Sequence, residues 1–281
     1  MNAIISPAWT GAWQAGAATT AGQRHGRDGR PCQDAARASG GPRPYAIVCD
    51  GRGSSPLSQH GAAAALDVLG NTLWSIEPLL ARCLDSLDPG DPLAAAGWRD
   101  AAHVLLRALM REQEALARRH GAAAADFEFT LSAAIVGRRG LGVVQVGDSC
   151  VVLQRGRDSA LAARPQTGEY AGETYFVTPD PALIARAETP LLPANDITGI
   201  LCMSDGVSGR WLHHRTLEPA PGVGQVLERL ATGTWTEAQV QEYLEKPFWH
   251  EGDDDDRGVA YLVSAVTAPV SAEPEDGGHH D

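Results

Sequence analysis

The stretch "FEFTLSAAIVGRRGLGVVQVGDSCVVLQRG", residues 127–156, holds three short β-type runs separated by brief turns at "GRRG" and "GDS". Runs of this length, rich in β-branched and apolar residues and bounded by Gly-containing turns, form strands. Connections this brief join antiparallel neighbours. An antiparallel meander is therefore expected at the centre of the chain.

Upstream the period changes. Leu66, Leu69, Leu73, Ile76, Leu80 and Leu84 recur at spacings of three and four, which puts them on one helix face. Pro78 should kink or divide that helix. A second helix opens at "DPL", with Asp91 as N-cap and Pro92 in the first helical position. Trp98, Ala102, Leu105, Leu109 and Leu116 form its apolar stripe, and Gly121 is its stop. Residues 12–21 and 44–49 read as strands, as do 173–178, 199–205 and 258–263; residues 222–246 are helical in pattern. Strands, paired helices, more strands, helices and a last strand do not alternate as a doubly wound sheet would. The fold class is α+β, with sheets packed face to face and helix pairs outside. One domain, residues 1–266, is expected, followed by a disordered acidic tail at 267–281.

Bulk properties narrow the function. With 281 residues, 43% of them apolar, the chain can bury one large core. A net charge of −12 argues against a nucleic-acid or anionic-membrane partner. The five cysteines lack any C-x-x-C pair and read as free thiols of a reducing compartment. "MNAIISPAWTGAWQAG" has no signal-peptide pattern, and no window approaches the roughly 20 apolar residues of a membrane span. A cytoplasmic location is expected.

Acidic residues gather where strands end. Asp50 follows "YAIVC", Asp148 follows "VVQVG", and Asp205 follows "ILCMS". Asp253 to Asp256 precede "RGVAYLV", and Asp34 lies in "GRPCQDAA". Singly, each is an ordinary turn or surface acid. If the strands share a sandwich, their ends meet on one rim, and like charges there need a cation. Oxygen ligands without His or Cys suit Mg²⁺ or Mn²⁺. Two such ions can activate water and clamp a phosphoryl oxygen, so the residues point to a binuclear site for phosphate-ester hydrolysis.

In chain order, "QDA" (33–35), "VCDGRGS" (48–54), "TLSAAIV" (130–136), "VGDS" (146–149), "MSDGV" (203–207) and "DDRGVAYLV" (255–263) resemble the motif series of the metal-dependent serine/threonine phosphatases, the PPM or 2C type. "GRDGRPCQDAA" and "GEYAGETYFVTPD" resemble a bacterial branch. The resemblance spans roughly residues 13–265. It implies an αββα four-layer sandwich of two mainly antiparallel sheets flanked by helix pairs. It also implies two Mn²⁺ or Mg²⁺ ions, with a weaker third. Asp50 would bridge the ions, with the Gly51 carbonyl on one of them. Asp205 and Asp255 would complete that ion's shell, Asp34 would lie beside the other, and Asp148 would serve the third. A metal-bridging hydroxide would attack phosphorus directly. The implied substrate is a phosphorylated protein, with a cognate Ser/Thr kinase as the opposing partner and a monomer as the working form.

Four positions depart from the family pattern. Ala21 stands where a phosphate-binding Arg is frequent, leaving Arg24 and Arg27 as candidates for that task. Arg52 stands where some relatives have His after "DG". Gly258 replaces a common Thr, and Asp254 or Asp256 could do the work of Asp255. The segment 157–197 corresponds to a variable flap expected to set partner choice. Two competing functions remain at this level: a pseudophosphatase that binds a phosphorylated partner, and a hydrolase of small phosphate esters. No P-loop-like Gly-Lys-Ser/Thr motif supports nucleotide binding.

Overall fold

The computed structural model describes residues 12–166, 174–251 and 254–264. One five-stranded sheet has the order β1 (Trp13–Thr20), β10 (Arg257–Ser264), β9 (Ile197–Met203), β6 (Cys150–Arg155) and β7 (Asp158–Leu161). The other has the order β2 (Ala35–Ser39), β3 (Tyr45–Gly51), β4 (Phe129–Val136), β5 (Gly140–Val146) and β8 (Leu191–Pro193). All pairings are antiparallel. The expected meander is β4, β5 and β6, except that β6 crosses to the facing sheet.

Side-chain alternation assigns each strand residue to one of two cores. In β3, Ala46 and Val48 face the interior between the sheets, while Ile47 and Cys49 face helices. In β9, Ile200 and Cys202 face inward, and Leu201 and Met203 outward. In β10, Ala260 and Leu262 face inward, whereas Val259, Tyr261 and Val263 face outward. Strands apolar on both faces must be covered on both faces, which makes four layers. The fold is α+β, as expected from the order of elements.

The helices follow their end signals. Short α1 (Gln23–Asp28) lies between β1 and β2. α2 (Ser58–Ser75) lays Ala62, Ala65, Leu66, Leu69 and Leu73 against the β2–β3–β4–β5 sheet. It stops before Pro78, which sits in the first turn of α3 (Glu77–Leu80), and the chain continues as a π-helical turn over Ala81–Ser86. The expected long helix is thus divided, because Pro78 cannot donate to the preceding turn. α4 (Pro92–His120) begins at Asp91, whose carboxylate accepts from the Leu93 N–H at 2.8 Å. It ends at Gly121, with φ 62°. Arg118, Arg119 and His120 in its last turn complement the helix dipole. After α5 (Leu183–Arg186) and α6 (Asp205–Trp211), α7 (Pro221–Ala231) and α8 (Glu237–Leu244) cover the other sheet. There Trp211, Trp249 and Tyr243 pack edge to face, so these tryptophans are packing residues.

One expected strand does not form. Among the described residues, 174–178 make isolated bridges, Val177 with Phe129 among them, instead of a ladder. The last β4–β5 pair is Leu131 with Val146. Beyond it only the start of β4 remains open for pairing. The expected tail at 267–281 lies outside the described residues.

Antiparallel order brings the ends of β3, β5 and β9 and the starts of β4, β6 and β10 to one rim. The pairs Asp50–Thr130, Cys150–Met203 and Met203–Val259 fix that alignment. The structure predicts that Trp98→Ala, which empties a fully buried site against Gly142, costs about 3–5 kcal/mol. Urea unfolding monitored by circular dichroism checks this; a loss under about 1 kcal/mol contradicts the packing described.

Candidate active site

Each acidic residue at the rim is placed by a different device. Asp50 is carried by the last turn of the ladder in β3, opposite Thr130. The next residue is tied down by the Gly51 N–H to Gln33 carbonyl bond at 3.2 Å. Asp148 occupies the turn from β5 to β6, where Gly147 has φ 90°. A Cβ at Gly147 would lie 2.5 Å from the Tyr175 carbonyl oxygen, so only glycine allows this turn. The Thr174 hydroxyl donates to the Asp148 carboxylate from the opposite wall. Asp205 opens α6 after the N-cap Ser204. Ser204 and Gly258 are joined reciprocally: the Ser204 N–H donates to the Gly258 carbonyl at 3.0 Å, and the Gly258 N–H to the Ser204 hydroxyl at 2.9 Å. This clamp sets the β9 terminus against the start of β10. Gly206 lets the two segments touch, since a Cβ there would stand 2.0 Å from the Asp256 carbonyl oxygen.

Asp50, Asp148 and Asp205 each offer a carboxylate oxygen, and these oxygens lie within 4.8 Å of one another. With Gly51 and Asp255 they line an open cleft of ≈ 650 Å³. Arg52, Gly53, Ser54 and Glu128 form one wall; Tyr175, Phe176, Thr178 and Arg186 stand on the other.

The acidic run divides its labour. Asp255 faces the cleft. Asp256 is 2% exposed and turns the other way. Its carboxylate accepts from the Gly22 N–H at 2.7 Å and the Gln33 N–H at 2.5 Å, and pairs with His25 Nδ1 at 2.8 Å. Asp256 thereby staples the loop after β1 to the start of β10. Asp254 pairs with Arg27 at 2.9 Å on the surface, and Asp253 lies outside the described residues. Neither Arg24 nor Arg27 lines the cleft among the described residues.

Asp34 is not in the three-carboxylate cluster. It is 7% exposed, and its Oδ2 has no hydrogen-bond partner among the described residues. A Cβ on Gly258 would lie 3.1 Å from that oxygen. Burial, with the charges of Asp256 and Asp205, pushes Asp34 well above the usual carboxylate range, against the lowering effect of the Ser204 hydroxyl. Burial and the carboxylates of Asp34 and Asp205 do the same to Asp50. Burial followed by Asp255 and Asp148 raises Asp205 to about 7. Cys32 and Cys49, beside predicted ligands, are pushed far up by burial, which disfavours the reactive thiolate.

Crowded carboxylates and an orphaned buried oxygen behind them form a set that a hard cation would satisfy. The donors are all oxygen, without His or Cys, and so fit Mn²⁺ or Mg²⁺. Sequence reasoning brought Asp50, Asp148, Asp205 and Asp255 to this place. It missed Thr174, Glu128 and Arg186 as cleft residues, because nothing local marks a loop residue that reaches a site across the fold. It also gave no sign that Asp256 is buried, since four consecutive aspartates look alike in sequence.

Comparison with known proteins gives the family and the fold. A family model described as protein phosphatase 2C matches residues 21–246, and the chain belongs to that family. It is a metal-dependent phosphoprotein phosphatase by class. Serine/threonine-protein phosphatase 3 of Escherichia coli (strain K12) is 27% identical over 265 residues, covering 90% of this chain and 99% of that protein. The catalytic domain of the serine/threonine protein phosphatase PstP, solved with two manganese ions, superposes with a TM-score of 0.57 at 15% identity, covering 90% of this chain and 97% of the other. PppA, a regulatory component of the type VI secretion system of Pseudomonas aeruginosa, gives 0.56 at 13% identity, with 90% and 97% covered.

Raised carboxylate pKa values make the metal-free protein less stable as pH rises from about 4, the unfolded value, through about 7 for Asp205. Mn²⁺ should therefore raise Tm more at pH 8 than at pH 5.5, and Asp205→Asn should flatten the metal-free slope. Scanning calorimetry with Mn²⁺ or EDTA decides; a Tm gain independent of pH contradicts it. Gly206→Ala should lower both Tm and Mn²⁺ affinity, read in the same scans.

Proposed function

We propose that the chain hydrolyses phosphoserine and phosphothreonine esters of proteins at a binuclear Mn²⁺ or Mg²⁺ site. The observation that carries this reading is the convergence of Asp50, Asp148 and Asp205 on one open cleft. The relatives' names add to it: one is a serine/threonine-protein phosphatase and another was solved with two manganese ions.

In this reading Asp50, Asp205, Asp255 and the Gly51 carbonyl would hold the ions, Asp34 would support them from behind, and Asp148 would serve a weaker additional one. When bound, the ions supply an acidified water as nucleophile and positive charge for the phosphoryl oxygens. The protein's own contribution is placement. The Ser204–Gly258 clamp and the Gly51–Gln33 bond fix carboxylates that would otherwise move apart. Thr174 orients Asp148, and the Thr130 and Ser149 hydroxyls, 2.5 Å apart, brace the turn beneath it. Such preorganisation is the main way a phosphoryl-transfer site lowers its barrier.

A cleft open to solvent suits a phosphorylated side chain presented by another protein. The proposed setting is cytoplasmic, opposite a Ser/Thr kinase, with the chain acting as a monomer. No helix among the described residues is long and apolar enough to cross a membrane. The reading predicts phosphate release from a phosphothreonine peptide with Mn²⁺, abolished by EDTA. Asp50→Asn and Asp205→Asn should each reduce kcat about 10²–10³-fold while the protein stays folded. Folded wild-type protein with no turnover under any divalent cation would favour the phosphoprotein-binding pseudophosphatase. Turnover of para-nitrophenyl phosphate alone would favour a small-ester hydrolase.

A further inference from the structure

Cations held by carboxylates do not by themselves place a substrate. The cleft is lined by five acidic side chains, Asp50, Asp148, Asp205, Asp255 and Glu128, against two basic ones, Arg52 and Arg186. A phosphate dianion entering it needs a fixed donor on the protein side, and residue 21, an alanine, offers none.

Arg52 is held from three directions. Its N–H donates to the Glu128 carbonyl at 3.0 Å, and its own carbonyl accepts from the Ser55 N–H at 2.9 Å. One guanidinium N–H bonds the Glu128 carboxylate, and the guanidinium carbon lies 5.0 Å from the centroid of Phe176. Glu128 is almost buried, so the anchor is rigid. Of the five guanidinium N–H groups, one has a protein acceptor among the described residues, and the side chain is 43% exposed at the cleft wall. A planar fork with unspent donors, fixed by a carboxylate and an aromatic face, matches the oxygens of a phosphate. Arg186 also lies over an aromatic ring, 5.6 Å from the Tyr175 centroid, but among the described residues it lacks a buried carboxylate at hydrogen-bond distance: its ion pair with Asp180 spans 3.8 Å with both partners half exposed.

We propose that Arg52 is the substrate-binding residue that takes the phosphoryl group, donating to its non-bridging oxygens, and that it binds phosphate monoesters and inorganic phosphate alike. A guanidinium acts here by charge and hydrogen bonds and gives no proton to the leaving group. The substrate half of this assignment rests on the phosphatase reading. The phosphate half does not.

The test compares wild type with Arg52→Ala, Arg52→Lys and Arg186→Ala, each checked for fold by circular dichroism. Calorimetry gives the Kd of Mg²⁺, then that of inorganic phosphate on Mg²⁺-loaded protein. Steady-state kinetics on para-nitrophenyl phosphate and a phosphothreonine peptide give KM and kcat. Arg52→Ala should weaken phosphate about ten- to hundredfold, the worth of one charge-assisted hydrogen-bond pair. KM for both substrates should rise by a similar factor, with Mg²⁺ affinity kept within about twofold. Arg52→Lys should recover part of the loss, because the ammonium keeps the charge but not the fork. Unchanged phosphate affinity in Arg52→Ala overturns the proposal, as does a loss of Mg²⁺ affinity equal to the loss of phosphate. A wild type that hydrolyses nothing removes the phosphatase reading, while phosphate calorimetry still decides the role of Arg52.

Discussion

Mutual repulsion among Asp50, Asp148 and Asp205 would separate them if they stood on yielding segments. They stay within 4.8 Å because each sits at the terminus of a strand buried on both faces. β3, β5 and β9 cannot slide without moving their side chains between the inter-sheet core and the helix-facing cores, since a one-residue slip exchanges the faces. Hydrophobic packing thus supports an electrostatic arrangement that is unfavourable alone. Burial first, and the neighbouring carboxylates after it, raise the pKa values of Asp50 and Asp205, a cost that a divalent cation would relieve.

The frame was legible where local rules act alone. Asp91, Pro92 and Gly121 mark both ends of α4 because capping depends on a few neighbouring residues. Strand termini at Asp50, Asp148 and Asp205 were visible because each acid breaks an apolar run. What escaped were features whose cause lies across the fold. β2 was passed over because "AARAS" has little β character; it is a strand because it pairs with β3 at a sheet edge. Residues 174–178 have strand composition but form isolated bridges, Val177 with Phe129 among them, and no ladder among the described residues. Within the acidic run, Asp255 and Asp256 differ only in what surrounds them, and that is set by Gly22, His25 and Gln33, more than 220 residues earlier.

The two walls of the cleft are built differently. Residues 51–57 are bonded at several points to the segment 125–128, through Arg52, Leu57 and the Ser55 hydroxyl, so that wall is fixed to the frame. The facing wall, around Thr174 to Arg186, carries no ladder among the described residues. It is held by the Val177–Phe129 bridge, the Thr174 hydroxyl, the Gln113 amide, which donates to the Val177 carbonyl at 2.7 Å, the Gln166 amide on the Arg186 carbonyl, and the burial of Val177 and Leu183 in the helix-side core. One wall is thus fixed by backbone bonds and the other by buried side chains and a few cross-fold contacts, two of which, from Thr174 to Asp148 and from Phe176 to Arg52, tie it to the site itself.

The position of β10 has a consequence for biosynthesis. It is the final described strand, yet it lies inside its sheet between β1 and β9, and the residues just before it supply Asp255 and the Asp256 staple. A nascent chain still lacking residues 254–264 has the other acids but neither the clamp on Ser204 nor the partner for β1. The β1–β10 pairing joins the first and last described strands, the kind of long-range closure that forms late. Emergence of this last strand therefore completes the acidic set and the frame together: a chain that stops before residue 254 lacks Asp255, the Asp256 staple and the clamp on Ser204.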